Sequence, residues 1–197
     1  MIVGLTGGVA TGKSEAARYF EALGMYIVDA DAISRKLTAK GMPLLSELVM
    51  NLGTDILYSN GALNRKKLAD MFFSNKEIKL KVEKILHVHI IFRINEIILQ
   101  NVNKFDILID VPLLFEVGLN KICDKVVVVH ASYDVQVSRI ALRDKLSYYQ
   151  IKKRISSQMP IEQKIELADF SIDNTNSKKD LEKNVKDLYK LLTCKQK

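Results

Sequence analysis

The sequence predicts an α/β fold: a parallel β-sheet flanked by helices, with a helical insert in its middle. Three observations predict it. Short, nearly continuous apolar runs suit strands covered on both faces. Amphipathic stretches separate these runs. A glycine-rich turn joins the first run to the first helix, so that strand, turn, helix and second strand follow one another as a βαβ unit.

The elements follow in order. Ile2 to Thr6 is an apolar run ending in glycines, and reads as a buried strand. From Lys13 to Leu23 the residues Ala16, Ala17, Phe20 and Leu23 recur at helical spacing, and Gly24 stops the helix. Tyr26 to Val28 is a second strand ending at Asp29. Between Ala32 and Gln100 strand candidates are few; Asn60-Gly61 marks a turn, and Lys76 to Gln100 reads as one long helix. Its expected apolar stripe is Ile78, Val82, Ile85, His89 and Phe92, with His89 a core histidine. Strands return at Phe105–Val111 and Lys125–His130. A helix from about Asp134 to Arg143 follows, with Ser132 a candidate N-cap, then a basic helical stretch to Gln158 and a short helix opened by Pro160. Phe170–Asp173 is a last strand, and Asn176 or Ser177 caps a final helix through Leu181, Val185, Leu188 and Leu192.

The first turn carries the chemistry. Gly7-Gly8-Val9-Ala10-Thr11-Gly12-Lys13-Ser14 matches G-x-x-x-x-G-K-[ST] between a strand and a helix, the context that gives the motif its meaning. Glycines allow backbone N–H groups to approach phosphate oxygens without an intervening Cβ, and the helix start adds its positive end. Lys13 supplies a full charge to the β and γ phosphates, and the Ser14 hydroxyl ligates Mg²⁺. The fold class is thereby refined to a P-loop NTPase-type core. The expected nucleotide-binding residues are Gly8, Val9, Ala10, Thr11, Gly12, Lys13, Ser14 and Glu15, and the ligand is ATP with Mg²⁺.

Three carboxylates stand where strands end, the edge at which an open parallel sheet binds its ligands. Asp31 in Asp29-Ala30-Asp31 is read as the base that takes a proton from an attacking hydroxyl, and Asp29 as a cap or a holder of Mg²⁺-bound water. Asp110 is a second candidate Mg²⁺ residue beside Ser14.

Bulk properties narrow the classes. The 197 residues are 48% hydrophobic and 27% charged, enough for one domain with a substantial core and a polar surface. A net charge of +7 suits a small polyanionic substrate. It does not point to nucleic acid, because there is no run of five Lys or Arg, no zinc-finger spacing and no aromatic RNA-binding signature. Cys123 and Cys194 lie far apart and form no disulfide framework or zinc motif. No membrane span or leader is visible, so the expected location is the cytoplasm.

Beyond the loop, the chain resembles the dephospho-coenzyme A kinase family. Gly4 to Ser14 looks like its opening, and Asp29-Ala30-Asp31 like its D-A-D. Pro112-Leu113-Leu114-Phe115-Glu116 looks like its P-L-L-F-E, and Arg139 with Arg143-Asp144 like its R-x-x-x-R-D. Arg154 to Gln158 and Ala168-Asp169 to Asp173-Asn174 look like its R-I-x-x-Q and A-D-x-x-I-D-N. The resemblance implies transfer of the ATP γ-phosphate to the ribose 3′-hydroxyl of dephospho-CoA, the last step of coenzyme A synthesis. It also implies a single kinase domain with a core of about 1–59, 105–138 and 166–197, a helical substrate-binding insertion of about 60–104 and a lid of about 139–165. By the same resemblance Asp31 is the base, Arg139 and Arg143 face phosphates from the lid, and Arg65, His87 and Glu116 serve the acceptor, Glu116 directly or through a neighbouring arginine.

Departures are visible. His87-Val88 stands where the family has His-Pro, Ala10 where it often has glycine, and Glu15 where it has threonine. Glu15 must turn its carboxylate away from the phosphates. Alternatives remain: a kinase for another small acceptor, such as a nucleoside monophosphate, or a nucleotide-dependent switch. The absence of an N-K-x-D segment weighs against a guanine-reading switch.

Overall fold

The computed structural model describes residues 1–194; the last three positions of the expected core segment lie outside the described residues. The chain divides into two compact units, one of residues 1–28 and 100–197, the other of residues 29–99.

The first unit is built on five parallel strands in the order β2-β3-β1-β4-β5: β1 (Ile2–Gly7), β2 (Tyr26–Asp29), β3 (Ile107–Asp110), β4 (Lys125–His130) and β5 (Phe170–Asp173). β1 is central, paired with β3 from Ile2↔Ile107 to Leu5↔Asp110 and with β4 from Val3↔Lys125 to Gly7↔Val129. The apolar runs are buried as expected: Val3, Leu5, Ile107 to Ile109 and Val127 to Val129 are fully inaccessible. Connections diverge to either side of β1, so the turn at its carboxyl end opens into the crevice where such sheets bind ligands.

The helix α1 (Lys13–Ala22) and the helix α9 (Lys178–Thr193) cover this sheet with a common core, in which Phe20, Leu181 and Val185 meet Val3, Leu108 and Val127. Ser177 is the cap of α9, forming a capping box with Asp180. Between β4 and β5 lie α6 (Tyr133–Asp144), α7 (Tyr148–Ser156) and α8 (Ile161–Leu167). Ser132 occupies the N-cap position of α6 but makes no capping bond; its N–H donates to Thr175 Oγ1 at 3.1 Å.

The second unit holds α2 (Ala30–Leu37), α3 (Pro43–Leu52), α4 (Arg65–Ser74) and most of α5 (Lys76–Asn101). Within it Leu45 and Leu48 of α3 share a core with Leu63, Leu68 and Val82. The long helix is continuous through His87-Val88. Its stripe differs from the expected one. Val82, Ile94 and Ile98 are buried, whereas Phe92 is 65% exposed. His89 is not a core histidine: it lies on the surface, with Nε2 3.0 Å from Glu47 Oε2. The heptad-like spacing chosen from sequence drifts off the true buried face over so long a helix.

Candidate active site

The turn between β1 and α1 is braced from outside. Thr11 Oγ1 donates to Gly8 O at 3.0 Å, Asn174 Nδ2 to Thr11 O at 2.8 Å and Arg139 Nη1 to Ala10 O at 3.3 Å. Three loop carbonyls are thereby engaged by donors from the loop itself, from the end of β5 and from α6. Gly12 has φ +89°, and a Cβ there would sit 2.1 Å from Asn174 Nδ2. Ala10 also adopts the left-handed region, at φ 58°, which is the physical reason glycine suits that position. The first-turn amides of α1 are the orphan donors of a helix start, and they gather at this turn.

Lys13, the first residue of α1, extends its ammonium to Asp110 Oδ1 at the end of β3. Both side chains are nearly buried. Glu15 turns to Arg18, one turn further along α1. The loop and the end of β3 therefore bring together one nearly buried cation, one buried carboxylate and the exposed hydroxyl-bearing residue Ser14. Hard oxygen donors of this kind suit Mg²⁺ when phosphate oxygens complete its shell. Among the described residues no cluster of three or more His, Cys, Asp or Glu offers a metal site by itself.

Arg139 is drawn to the loop, since its Nη2 also donates to Asn174 O at 2.9 Å. Arg143 is not: its guanidinium makes a paired contact with Asp144, at 2.8 and 3.0 Å, and Asp144 also receives Arg154 at 2.6 Å. Beside Gly8 and Val9 a cavity of about 840 Å³ opens, walled by the start of α6, by Lys152 of α7 and by Met159 and Ile165 around α8.

Glu116 binds a lysine, where sequence reasoning placed the acceptor or an arginine. Its Oε1 lies 2.9 Å from Lys164 Nζ and accepts the Met159 N–H at 3.2 Å. Lys164 itself is fully buried, and sequence reasoning missed it. The signal was present: Ile161, Lys164 and Ile165 fall at i, i+3, i+4 on one face of a short helix, so a cation on that stripe implies a buried partner. The bracing role of Asn174 was missed because nothing local to it announces a contact with Thr11.

In the helical unit, Asp29 Oδ1 accepts from Ala32 N at 2.9 Å and caps α2. Asp31 sits exposed in the first turn of that helix. Arg65 opens α4, with Nη2 donating to Thr38 Oγ1 at 2.8 Å. Burial lowers the His87 pKa below its ordinary value, and nearby Glu83 opposes this only in part. An imidazole so placed is neutral at pH 7 and offers hydrogen bonds rather than charge. Burial pushes the Cys123 thiol up to about 12, so it is no nucleophile.

A left-handed turn with its carbonyls engaged, a lysine at a helix start and a parallel sheet behind them fit the polyphosphate of a nucleotide. The chain is a P-loop protein of the kinase class. A family model described as dephospho-CoA kinase (CoaE) matches residues 1–180. A dephospho-CoA kinase of Fusobacterium nucleatum is 40% identical over 185 residues, covering 94% of this chain and 95% of the relative. One from Dichelobacter nodosus is 42% identical over 177 residues, covering 90% and 89%. The solved dephospho-CoA kinase from Campylobacter jejuni superposes with a TM-score of 0.71 at 29% identity, covering 98% of this chain and 96% of that one. The chain belongs to the dephospho-CoA kinase family.

Proposed function

We propose that this chain transfers the γ-phosphoryl group of ATP to the ribose 3′-hydroxyl of dephospho-CoA, giving CoA and ADP. The observation that carries the reading is the family match over residues 1–180, which spans the phosphate loop and every element described above except most of α9. Location in the cytoplasm, where ATP is made and kept, belongs to the same proposal.

The loop amides and Lys13 hold the triphosphate. Lys13 leaves part of its contact with Asp110 to do so, and Asp110 keeps the ammonium aimed before nucleotide arrives. Ser14 and Asp110 are the residues that would hold Mg²⁺, directly and through water, and the ion would neutralise charge on the β and γ phosphates. Asp31 accepts the 3′-hydroxyl proton as the new O–P bond forms; the bond to the β-phosphate oxygen breaks, and its electron pair leaves with ADP. Asp29 is already used as a cap, which leaves Asp31 for this role. Arg139 stays beside the loop, and Arg143 reaches the transferring group by leaving Asp144, within a lid of residues 139–165. The helical unit binds the acceptor, with Arg65 and His87 the residues assigned to that role from sequence. Glu116, also assigned to the acceptor from sequence, belongs to the first unit, where it holds Lys164 and the Met159 amide.

An acceptor screen tests the reading. Purified protein with ATP and Mg²⁺ is expected to release ADP with dephospho-CoA and far less with AMP. Equal or greater turnover with a nucleoside monophosphate would reassign the acceptor, and no acceptor-dependent ADP release would reject a kinase role.

A further inference from the structure

We propose that Lys164 is a positioning residue for phosphoryl transfer, acting through the end of β3 and not on the substrates themselves. The proposal rests on the kinase reading above. Lys164 is fully buried in α8, and its Nζ donates to Pro112 O at 2.8 Å while pairing with Glu116. The same Pro112 carbonyl accepts Thr6 Oγ1 at 3.0 Å, from the strand that leads into the phosphate loop. Pro112 lies two positions beyond Asp110, whose carboxylate holds Lys13. Two clamps, one from β1 and one from α8, thus fix the place where the chain leaves β3, and with it the direction in which Asp110 faces the loop.

The other arm of the network reaches the turn before α8. Glu116 accepts the Met159 N–H, and Gln158, Met159 and Pro160 form one wall of the cavity beside Gly8 and Val9. One ion pair therefore ties the floor of the site to its wall. Packing alone gives no reason for a lysine here. The stripe of α8 that carries Ile161 and Ile165 would accept a methionine, and stripping an ammonium of water opposes folding unless its partners compensate. What the ammonium adds is direction, a fixed bond to one carbonyl oxygen and one carboxylate.

The test compares Lys164→Met and Glu116→Gln with the unchanged protein. Folding is followed by circular dichroism, nucleotide affinity by a fluorescent ATP analogue, and kcat and KM with dephospho-CoA. For Lys164→Met the expected result is folded protein whose nucleotide affinity and KM values stay within about threefold, while kcat falls about 10- to 100-fold, the scale that misplacement of a catalytic group produces. A kcat within about twofold of the unchanged protein would overturn the proposal, because a purely structural lysine alters melting without altering the turnover of folded molecules. Should Lys164→Met fail to fold, Glu116→Gln decides. It keeps an acceptor oxygen for both partners and removes the charge, so kcat is expected to fall several-fold with the KM for ATP unchanged, and an unmoved kcat overturns the proposal. Were the unchanged protein inert towards dephospho-CoA, the assignment of that acceptor would fail by itself. The variants would then be compared by ATP hydrolysis to water, in which the same fall is expected and equal rates overturn the proposal.

Discussion

At the residue scale, the site depends on a few positions where one atom decides the outcome. Asp31 is assigned proton abstraction, and Asp29 caps α2 two positions before it. Replacing Asp31 by Asn removes the base and leaves the helix intact. The expected result is a kcat lower by about 10²–10⁴, with ATP affinity little changed. An unaltered kcat in steady-state assays would place the base elsewhere. Gly12 is the other critical position. Its φ of +89° and the 2.1 Å approach to Asn174 Nδ2 leave no space for a methyl group. Gly12→Ala is expected to displace Asn174 from Thr11 O, to cost about 1–2 kcal/mol through the left-handed backbone and to abolish detectable ATP binding by calorimetry. Wild-type affinity in that variant would show that the loop tolerates a side chain against its brace.

At the element scale, α6 and α7 are joined by one carboxylate. Asp144 receives Arg143 from its own helix and Arg154 from the next. Chiefly through its hydrogen bond to Arg143, its pKa lies below the ordinary carboxylate value. A carboxyl group depressed in the folded state contributes stability above its unfolded pKa and loses it as pH falls through the folded value. The tie should therefore hold at neutral pH and fade below about pH 4. Because both arginines are about half exposed, the contribution is small, at most about 1 kcal/mol. The protection of the α7 amides, taken relative to intrinsic exchange at each pH, is expected to fall over that acid range, and this fall is expected to vanish in Asp144→Asn; an identical protection profile in the variant would refute the assignment. The helices of the first unit were largely legible from sequence, because apolar spacing marked buried faces and Pro160 and the Asn176-Ser177 pair marked starts, whereas α2, α3 and α4 were read only as a helical insert. The long α5 was legible as an element but not as a face, since a small error in the assumed period accumulates until Phe92 and His89 point outward.

At the scale of the whole molecule, strand identity was legible and strand order was not. Runs such as Val126–Val129 declare themselves by composition, whereas the placement of β1 between β3 and β4 depends on which strands each crossover reaches. The site divides in the same way. The loop, Lys13 and Ser14 could be read from one contiguous motif with a physical role for each residue. Lys164 against Pro112 and Glu116, and Asn174 against Thr11, join residues dozens to more than a hundred positions apart, and no local pattern encodes such meetings. Asn174→Ala tests one of them. Its buried amide holds a loop carbonyl, and its loss is expected to weaken ATP binding about tenfold while the melting curve stays cooperative, a difference of about 1.4 kcal/mol. Unchanged ATP affinity would mean that the loop holds its shape without the brace.

The bond from Asn174 to Thr11 spans 163 positions of chain. The turn is therefore synthesised well before the amide that steadies it. A growing polypeptide would carry the full G-x-x-x-x-G-K-S signature through all of that intervening stretch without its brace, so the loop is steadied only with the completion of the sheet.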